Sequence, residues 1–423
     1  MRNLPQNGAA ITASLFVFLS NLSTPAFAAS DRDIAAIRHE IQQMRKSNEQ
    51  RIAELERKLA RMNKEKKTAS KKKNVDYSTN KHTDTPKATL EDDHSGSPRL
   101  LLGANIDTVA STRNFGDKSD RKRFSLREVE VSLESQITPY LYGYIFMTRP
   151  EGESLTVEEA AVIVDLPLGF RLKVGDFRNE FGLLNTVHEP ERPLVSMPLP
   201  VKEFLGEEQL REASVTLGKS FSVGHGKRAG FSLSLMNGDN DVAFNEGESG
   251  DKAYSAKLYF GGKSDRFAYQ LGLSALNGKN DAEGKLTTNL QALDFSFFVD
   301  PDYNKGVDSP ARFSLSGEAL FNQRELASGI TNSANGYWML ADYQYMRNHH
   351  VGVGTEYTEN LLNSDIRTKA YSFHYSWYYS PHARVQLEGR QVEPNNSKNG
   401  FELMLQWNIV LSPHSERNFL DIF

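Results

Sequence analysis

Tyr371-Ser-Phe-His-Tyr-Ser-Trp-Tyr-Tyr379 sets aromatic rings on one side of an extended chain and small polar groups on the other. Successive side chains of a strand point to opposite faces, so Tyr371, Phe373, Tyr375, Trp377 and Tyr379 share one face, and Ser372, His374 and Ser376 share the other. Soluble strands also alternate, but they turn a polar face to solvent and do not gather aromatic rings at one end. A strand crossing a bilayer turns its apolar face to lipid, with aromatic girdles at the interfaces, and its polar face to a lumen. Residues 401–411 repeat the pattern, with Phe401, Leu403, Leu405, Trp407, Ile409 and Leu411 set against Glu402, Gln406 and Asn408. Residues 127–137 repeat it again: Val129, Val131, Leu133 and Ile137 oppose Glu128, Glu130, Ser132 and Glu134. These segments predict an all-β chain, with Glu128, Glu130, Glu134 and His374 facing a lumen. Tyr140, Tyr142 and Tyr144 are expected to join Trp377 and Tyr379 in an aromatic belt.

From Leu100 onward such segments recur about every ten residues between turn-forming stretches, and about sixteen can be counted. Loop lengths carry the orientation. With the amino terminus in the periplasm, connections near 111–122, 178–210, 237–251, 277–287, 323–335, 359–366 and 391–399 fall outside and are long. Those near 138–139, 165–169, 219–227, 261–265, 347–350 and 380–383 fall inside and are mostly tight, with 300–310 as an exception. The terminal Phe423 is the aromatic end that many such barrels present to their assembly machinery. The predicted fold is a transmembrane antiparallel β-barrel over residues 99–423.

Composition agrees with this reading and excludes others. The chain has 423 residues, no cysteine, 16 Tyr and 24 Phe, so neither disulfides nor thiol chemistry are available. After the first few dozen residues no stretch approaches the roughly 20 apolar residues that a spanning helix needs. The net charge of -4 is uneven: residues 1–98 carry 17 basic and 12 acidic side chains, and the remainder 33 and 42.

That basic front divides in three. Residues 1–28 read as a signal peptide, with Arg2 before an apolar run from Ala9 to Leu19 and a small-x-small cleavage site at Ala26-Phe27-Ala28. Residues 29–63 space Ile34, Ile37, Ile41, Met44, Ile52, Leu55, Leu59 and Met62 as a short coiled-coil seam, which implies a homo-oligomer. The register slips at Asn48, where a four-residue step makes a stutter. Residues 64–98 are a basic, polar linker with almost nothing to bury, and its lysines suit peptidoglycan or anionic head groups.

The stretch from Arg123 to Leu217 resembles the phosphate-selective porin family of the O and P type. The likeness rests on Phe124-Ser-Leu-Arg-Glu-Val-Glu-Val131, on Val157 to Asp165, and on Leu172-Lys-Val-Gly-Asp-Phe-Arg-Asn-Glu-Phe-Gly182, similar to that family's V-G-x-F-x-x-x-F-G segment. The resemblance implies a trimeric sixteen-stranded barrel whose third external loop, here 178–210, folds inward as the pore constriction. Its residues would be Arg178, Glu180, His188, Glu189, Glu191, Arg192, Lys202 and Glu203. A phosphate channel lines its constriction with Arg and Lys. This loop is instead rich in Glu, so the charge pattern points to a cation-preferring or weakly selective pore for small hydrophilic solutes or ions.

Asn185-Thr-Val-His188, Pro193-Leu194 and Leu205-Gly-Glu-Glu208 also resemble outer-membrane proteins described as zinc-regulated, and His188, Glu189 and Glu191 together offer metal-ligating groups. Zinc-linked uptake or binding is one alternative to a pore; a tether between outer membrane and cell wall is another. His225, His349, His350, His382 and His414 fall near inner turns, where they could form a ring. The loop Asn237 to Glu248 has calcium-type spacing, but Val242 stands where the turn needs Gly, so an acidic outer loop is expected. Gly218-Lys219-Ser220 lacks the upstream Gly of a phosphate-binding loop, and neither G-x-S-x-G nor H-E-x-x-H occurs. No enzymatic activity, no cofactor and no nucleic-acid partner is expected.

Overall fold

The computed structural model describes residues 99–115, 118–244, 250–300, 312–327, 329–380 and 382–412. The signal peptide, coiled coil and linker expected within 1–98, together with His414 and Phe423, lie outside the described residues. Sixteen strands form one closed antiparallel barrel: β1 (Arg99–Phe115), β2 (Lys118–Thr138), β3 (Leu141–Pro150), β4 (Thr156–Asp165), β5 (Phe170–Arg178), β6 (Arg211–Gly224), β7 (Lys227–Met236), β8 (Ala253–Lys263), β9 (Phe267–Lys279), β10 (Thr287–Val299), β11 (Phe313–Ala327), β12 (Ile330–Met346), β13 (His349–Glu359), β14 (Arg367–Ser380), β15 (Ala383–Pro394) and β16 (Gly400–Ser412). Each pairs with its sequence neighbours, and β1 closes on β16 from Ala104↔Ser412 to Phe115↔Gly400, so no sheet edge is left open. Among the described residues no helix is long and apolar enough to cross a membrane.

The barrel is inside out relative to a soluble protein. On β14, Tyr371 is 49% exposed and Ser372 only 6%, and the alternation continues through Phe373, His374, Trp377 and Tyr379. On β16, Phe401, Leu403, Trp407 and Leu411 face outward while Glu402, Gln406 and Asn408 are buried. Leu271, Leu293, Tyr337, Val353 and Leu387 continue this outward apolar band on other strands. Large exposed apolar surface is what lipid solvates and water does not.

Three expectations need correction. Tyr142 and Tyr144 do not join an outer aromatic belt; they point inward, where their hydroxyls donate to Glu134 (2.5 Å) and Glu159 (3.1 Å). The outward positions of β3 fall to Gly143, Ile145 and Met147, because the register follows the carboxylates inside. Residues 111–122 and 323–335 are not long loops either. Strand pairing runs out to Phe115↔Lys118 and Ala327↔Ile330, because beyond the lipid band the ladder needs no apolar face to continue. Finally, His349 and His350 share no ring: as strand neighbours they point to opposite faces, His349 stacking on Trp377 and His350 bonding Asp342 inside (2.8 Å).

The remaining loops are unequal. The connection between β5 and β6, residues 179–210, is the longest fully described one, and the short hairpin at 151–155 before it makes it third on its rim. It contains a 3-10 turn at Glu189–Glu191 and one short α-helix, α1 (Leu199–Leu205), which ends at Gly206 with φ of +80°, a left-handed C-terminal residue suited to Gly.

Candidate functional site

The third loop does not stay on the rim but folds into the lumen. It leaves β5 at Arg178 and turns at Gly182, whose φ of +55° is left-handed and whose added Cβ would lie 1.7 Å from the Glu318 carboxylate. The backbone of Gly182 is clamped by the far wall: Ser274 accepts its N–H (3.0 Å) and Lys257 donates to its carbonyl (2.6 Å). Asn185 then ties the loop's two ends, donating to the Asn179 carbonyl (2.7 Å) and accepting from the Leu210 N–H (2.8 Å).

Lumen-wall groups satisfy the backbone that the loop would otherwise bury unpaired. Glu388 of β15 accepts from the N–H groups of Val195 (2.7 Å) and Ser196 (3.2 Å) and from the Ser196 hydroxyl. Glu356 of β13 accepts from Leu199 N–H (2.7 Å), at the start of α1. Arg384 and Gln386 donate to the carbonyls of Pro190 (2.9 Å) and Pro193 (2.8 Å), and Arg127 donates to that of Val195 (3.0 Å).

An apolar plug fills one side of the lumen. Phe181, Phe204, Leu205 and Leu210 of the third loop pack with Ala243 and Phe244 of the next long loop and with inward residues Met236, Leu276, Leu290, Leu320 and Ala334. Leu184, Leu194 and Val201 pack on Trp338 and Leu340 of β12, and the Trp338 indole donates to Glu318 (3.1 Å). The loop around Asn237 thus serves as a cover. Its Gly238 and Asn240 N–H groups donate to Glu212 (2.6 and 3.1 Å), and the Asn240 amide bonds the carbonyls of Leu205 and Gln209.

The other side stays open. A cavity of about 820 Å³ lies between the third loop and the wall made by β1, β2, β15 and β16, reaching β4 to β6. Seven basic and eight acidic side chains line it, so its charge is nearly balanced. Many are already paired: Arg113 and Arg390 with Glu402 (3.2 and 3.4 Å), Arg390 with Glu356 (2.6 Å), Arg127 with Asp107 and with Glu189 (3.4 Å).

The residues singled out from the sequence fall into separate places. Arg178 and His188 come together with Glu130, Glu158 and Glu159, where Arg178 and Glu158 form part of the cavity wall. Arg178 bonds Glu158 and Glu159 (3.1 Å to the latter), and the His188 ring lies 3.0 Å from Glu130, 3.7 Å from Glu158 and 3.5 Å from Glu159. Glu189 sits between Arg127 and Arg192 (3.6 Å), and the Arg192 side chain also donates to Gln209 (3.3 Å). Burial pulls the Arg192 guanidinium down to about 10; the carboxylate of Glu189 opposes the shift, and Arg178 and Arg127 reinforce it.

Lys202 lies exposed at the cavity rim, paired with Glu207, whose carboxyl is held below its usual range by that hydrogen bond and charge. Glu203 turns the other way and accepts from Asn360 Nδ2 (2.9 Å) and Leu361 N–H (2.8 Å); burial raises its carboxyl above the usual range against those two bonds. Glu180 is half-buried and Glu191 exposed, while the ion pairs of His188 run to Glu130, Glu158 and Glu159. Glu128, Glu130 and Glu134 are buried on the inner face of β2, and His374 Nε2 donates to the Asp342 carboxylate (2.9 Å).

Glu158 and Glu159 went unnoticed in the sequence, although the sign was there. Two consecutive acidic residues in a strand with one lipid face cannot both be accommodated by alternation. The structure resolves this with a register shift between Phe146↔Glu159 and Met147↔Val157, which leaves Glu158 as an extra bulged residue, and both side chains turn inward.

A closed sixteen-strand barrel with an outward apolar band and a charged cavity inside defines the class of fold, and known proteins share the barrel. No family model matches the chain. An uncharacterised protein of Aquifex aeolicus (strain VF5) is 25% identical over 348 residues, 72% of either chain. Among solved structures, an anion-selective porin from Comamonas acidovorans matches with a TM-score of 0.54 at 11% identity, covering 74% of this chain and 100% of that one. OmpT of Vibrio cholerae in its trimer form matches at 0.52, with 10% identity over 74% and 99% of the two chains. The outer membrane channel DcaP of Acinetobacter baumannii matches at 0.50, with 11% identity over 75% and 98%. The likeness is one of fold: this chain has the barrel fold of outer-membrane porins and channels. None of these three is described as phosphate-selective.

Proposed function

We propose that the protein is an outer-membrane diffusion pore for small hydrophilic solutes or ions, with no chemical step. The observation that carries this is the division of the lumen, one side packed apolar and the other a cavity lined by ionic groups that a hydrated solute can follow. The third loop is the constriction, with Arg127, Glu189 and Arg192 at its face and Lys202 at its rim. Because eight acids meet seven bases there, and residues 99–423 carry an acidic excess, the pore is weakly selective with a bias to cations rather than a phosphate channel. The outward apolar band supports contact with outer-membrane lipid, and the barrel fold together with the coiled-coil spacing supports a homotrimer. Residues 29–98 then lie in the periplasm, where their lysines can meet peptidoglycan.

Liposomes containing the purified protein should swell in isotonic solutions of small sugars and amino acids, at rates falling with solute size. Vesicles that swell no faster than protein-free controls would contradict the reading. A metal-linked role is favoured by one separate observation, the environment of His188.

A further inference from the structure

Where the third loop reaches the barrel wall at His188, it meets a cluster of carboxylates. One oxygen each of Glu130 on β2 and Glu158 on β4 and one ring nitrogen of His188 lie within 4.8 Å of one another, and all three residues are buried. The neighbouring Arg178 guanidinium holds the other oxygen of Glu158 and one oxygen of Glu159. Glu158 Oε2 therefore points at the imidazole with no hydrogen-bond donor, in a residue only 9% exposed. Glu130, Glu158 and Glu159 face Arg178 and Lys173, so the carboxylates outnumber the Arg and Lys that hold them, and the Arg178 guanidinium also approaches the His188 ring (3.3 Å). Buried charge of that kind calls for a counter-charge.

We propose that Glu130, Glu158 and His188 form a binding site for a divalent first-row transition ion of the zinc type. A bound cation offsets that excess of carboxylate. An imidazole nitrogen with two carboxylates suits zinc and its neighbours, whereas calcium and magnesium favour all-oxygen shells. The ligands come from two strands and one loop, so a bound ion pins the third loop to the cavity wall. The ligand set differs from the local grouping of His188 with Glu189 and Glu191: Glu189 is engaged by Arg127 and Arg192, and Glu191 is exposed. Among the described residues, Glu130, Glu158 and His188 are the group whose geometry fits.

The test is a zinc titration of the full chain in detergent against a chromophoric chelator, after metal stripping. One zinc per chain is expected, with affinity falling at least about tenfold in Glu158→Gln and in His188→Ala, as loss of a ligand does. Glu130→Gln, nearly isosteric, guards against a variant that merely misfolds, and the zinc X-ray absorption edge region should lose its imidazole scattering in His188→Ala. His382→Ala, at an exposed turn, should bind as the parent does. Binding that survives all three ligand variants, or no binding by the parent protein at millimolar zinc, would overturn the proposal and leave His188 as an ion-pair partner of Glu130.

Discussion

Glu203 shows how a single side chain can couple pH to the shape of the lumen. Its carboxyl, raised by burial, accepts from Asn360 and Leu361 and so joins α1 to the loop between β13 and β14. A group whose pKa is higher in the docked state binds extra protons there, so its contribution is full below the ordinary carboxylate range and is lost as pH rises through the raised value. Acidification should therefore tighten the docked loop and lower conductance. Glu203→Gln, which keeps an acceptor oxygen, should flatten that part of the pH profile; an unchanged profile would remove Glu203 from the account. Arg192 acts in the opposite sense at the other extreme. With its pKa lowered to about 10, the strain of burying its charge is relieved as pH climbs from there towards the ordinary arginine range. At this scale the sequence was partly legible. It marked Arg178, His188 and Arg192 because they sit in one loop, but Glu130, Glu158, Glu159 and Arg127 join them only through strand pairing.

At the scale of elements, the third loop behaves as a small folded unit inside the barrel. Phe204 is fully buried in its plug, so Phe204→Ala should cost about 3–5 kcal/mol of loop packing. The strand ladder does not depend on that ring. The expected result is a barrel that migrates on gels as the parent does but has a larger, noisier single-channel conductance; a parent-like conductance would mean that the loop does not set pore size. Gly182→Ala should loosen the same loop from its other end, because a left-handed residue with a Cβ costs about 1–3 kcal/mol and here also presses on Glu318. Limited proteolysis should then cut within 183–197 faster than in the parent. Most strands could be read from alternation because lipid enforces an apolar face along their length. The inward turn of Tyr142 and Tyr144 could not, since an aromatic ring with a hydroxyl suits a bilayer interface and a buried carboxylate equally well.

For the molecule as a whole, the sequence carried the closed barrel and its strand number, and its loop rhythm located the long connection that turns inward. It did not carry the division of the lumen, which depends on which loops fold onto which wall residues hundreds of positions away, such as Ser196 on Glu388. If residues 29–98 bind the cell wall, peptidoglycan should pull down the full chain and leave behind a chain lacking them. The central claim, a water-filled and nearly charge-balanced path through a membrane barrel, is tested most directly by planar-bilayer recording of the purified protein across a salt gradient. The expected result is ohmic channel activity with a small reversal potential on the cation side. Bilayers that stay silent, or a reversal potential firmly on the anion side, would contradict it.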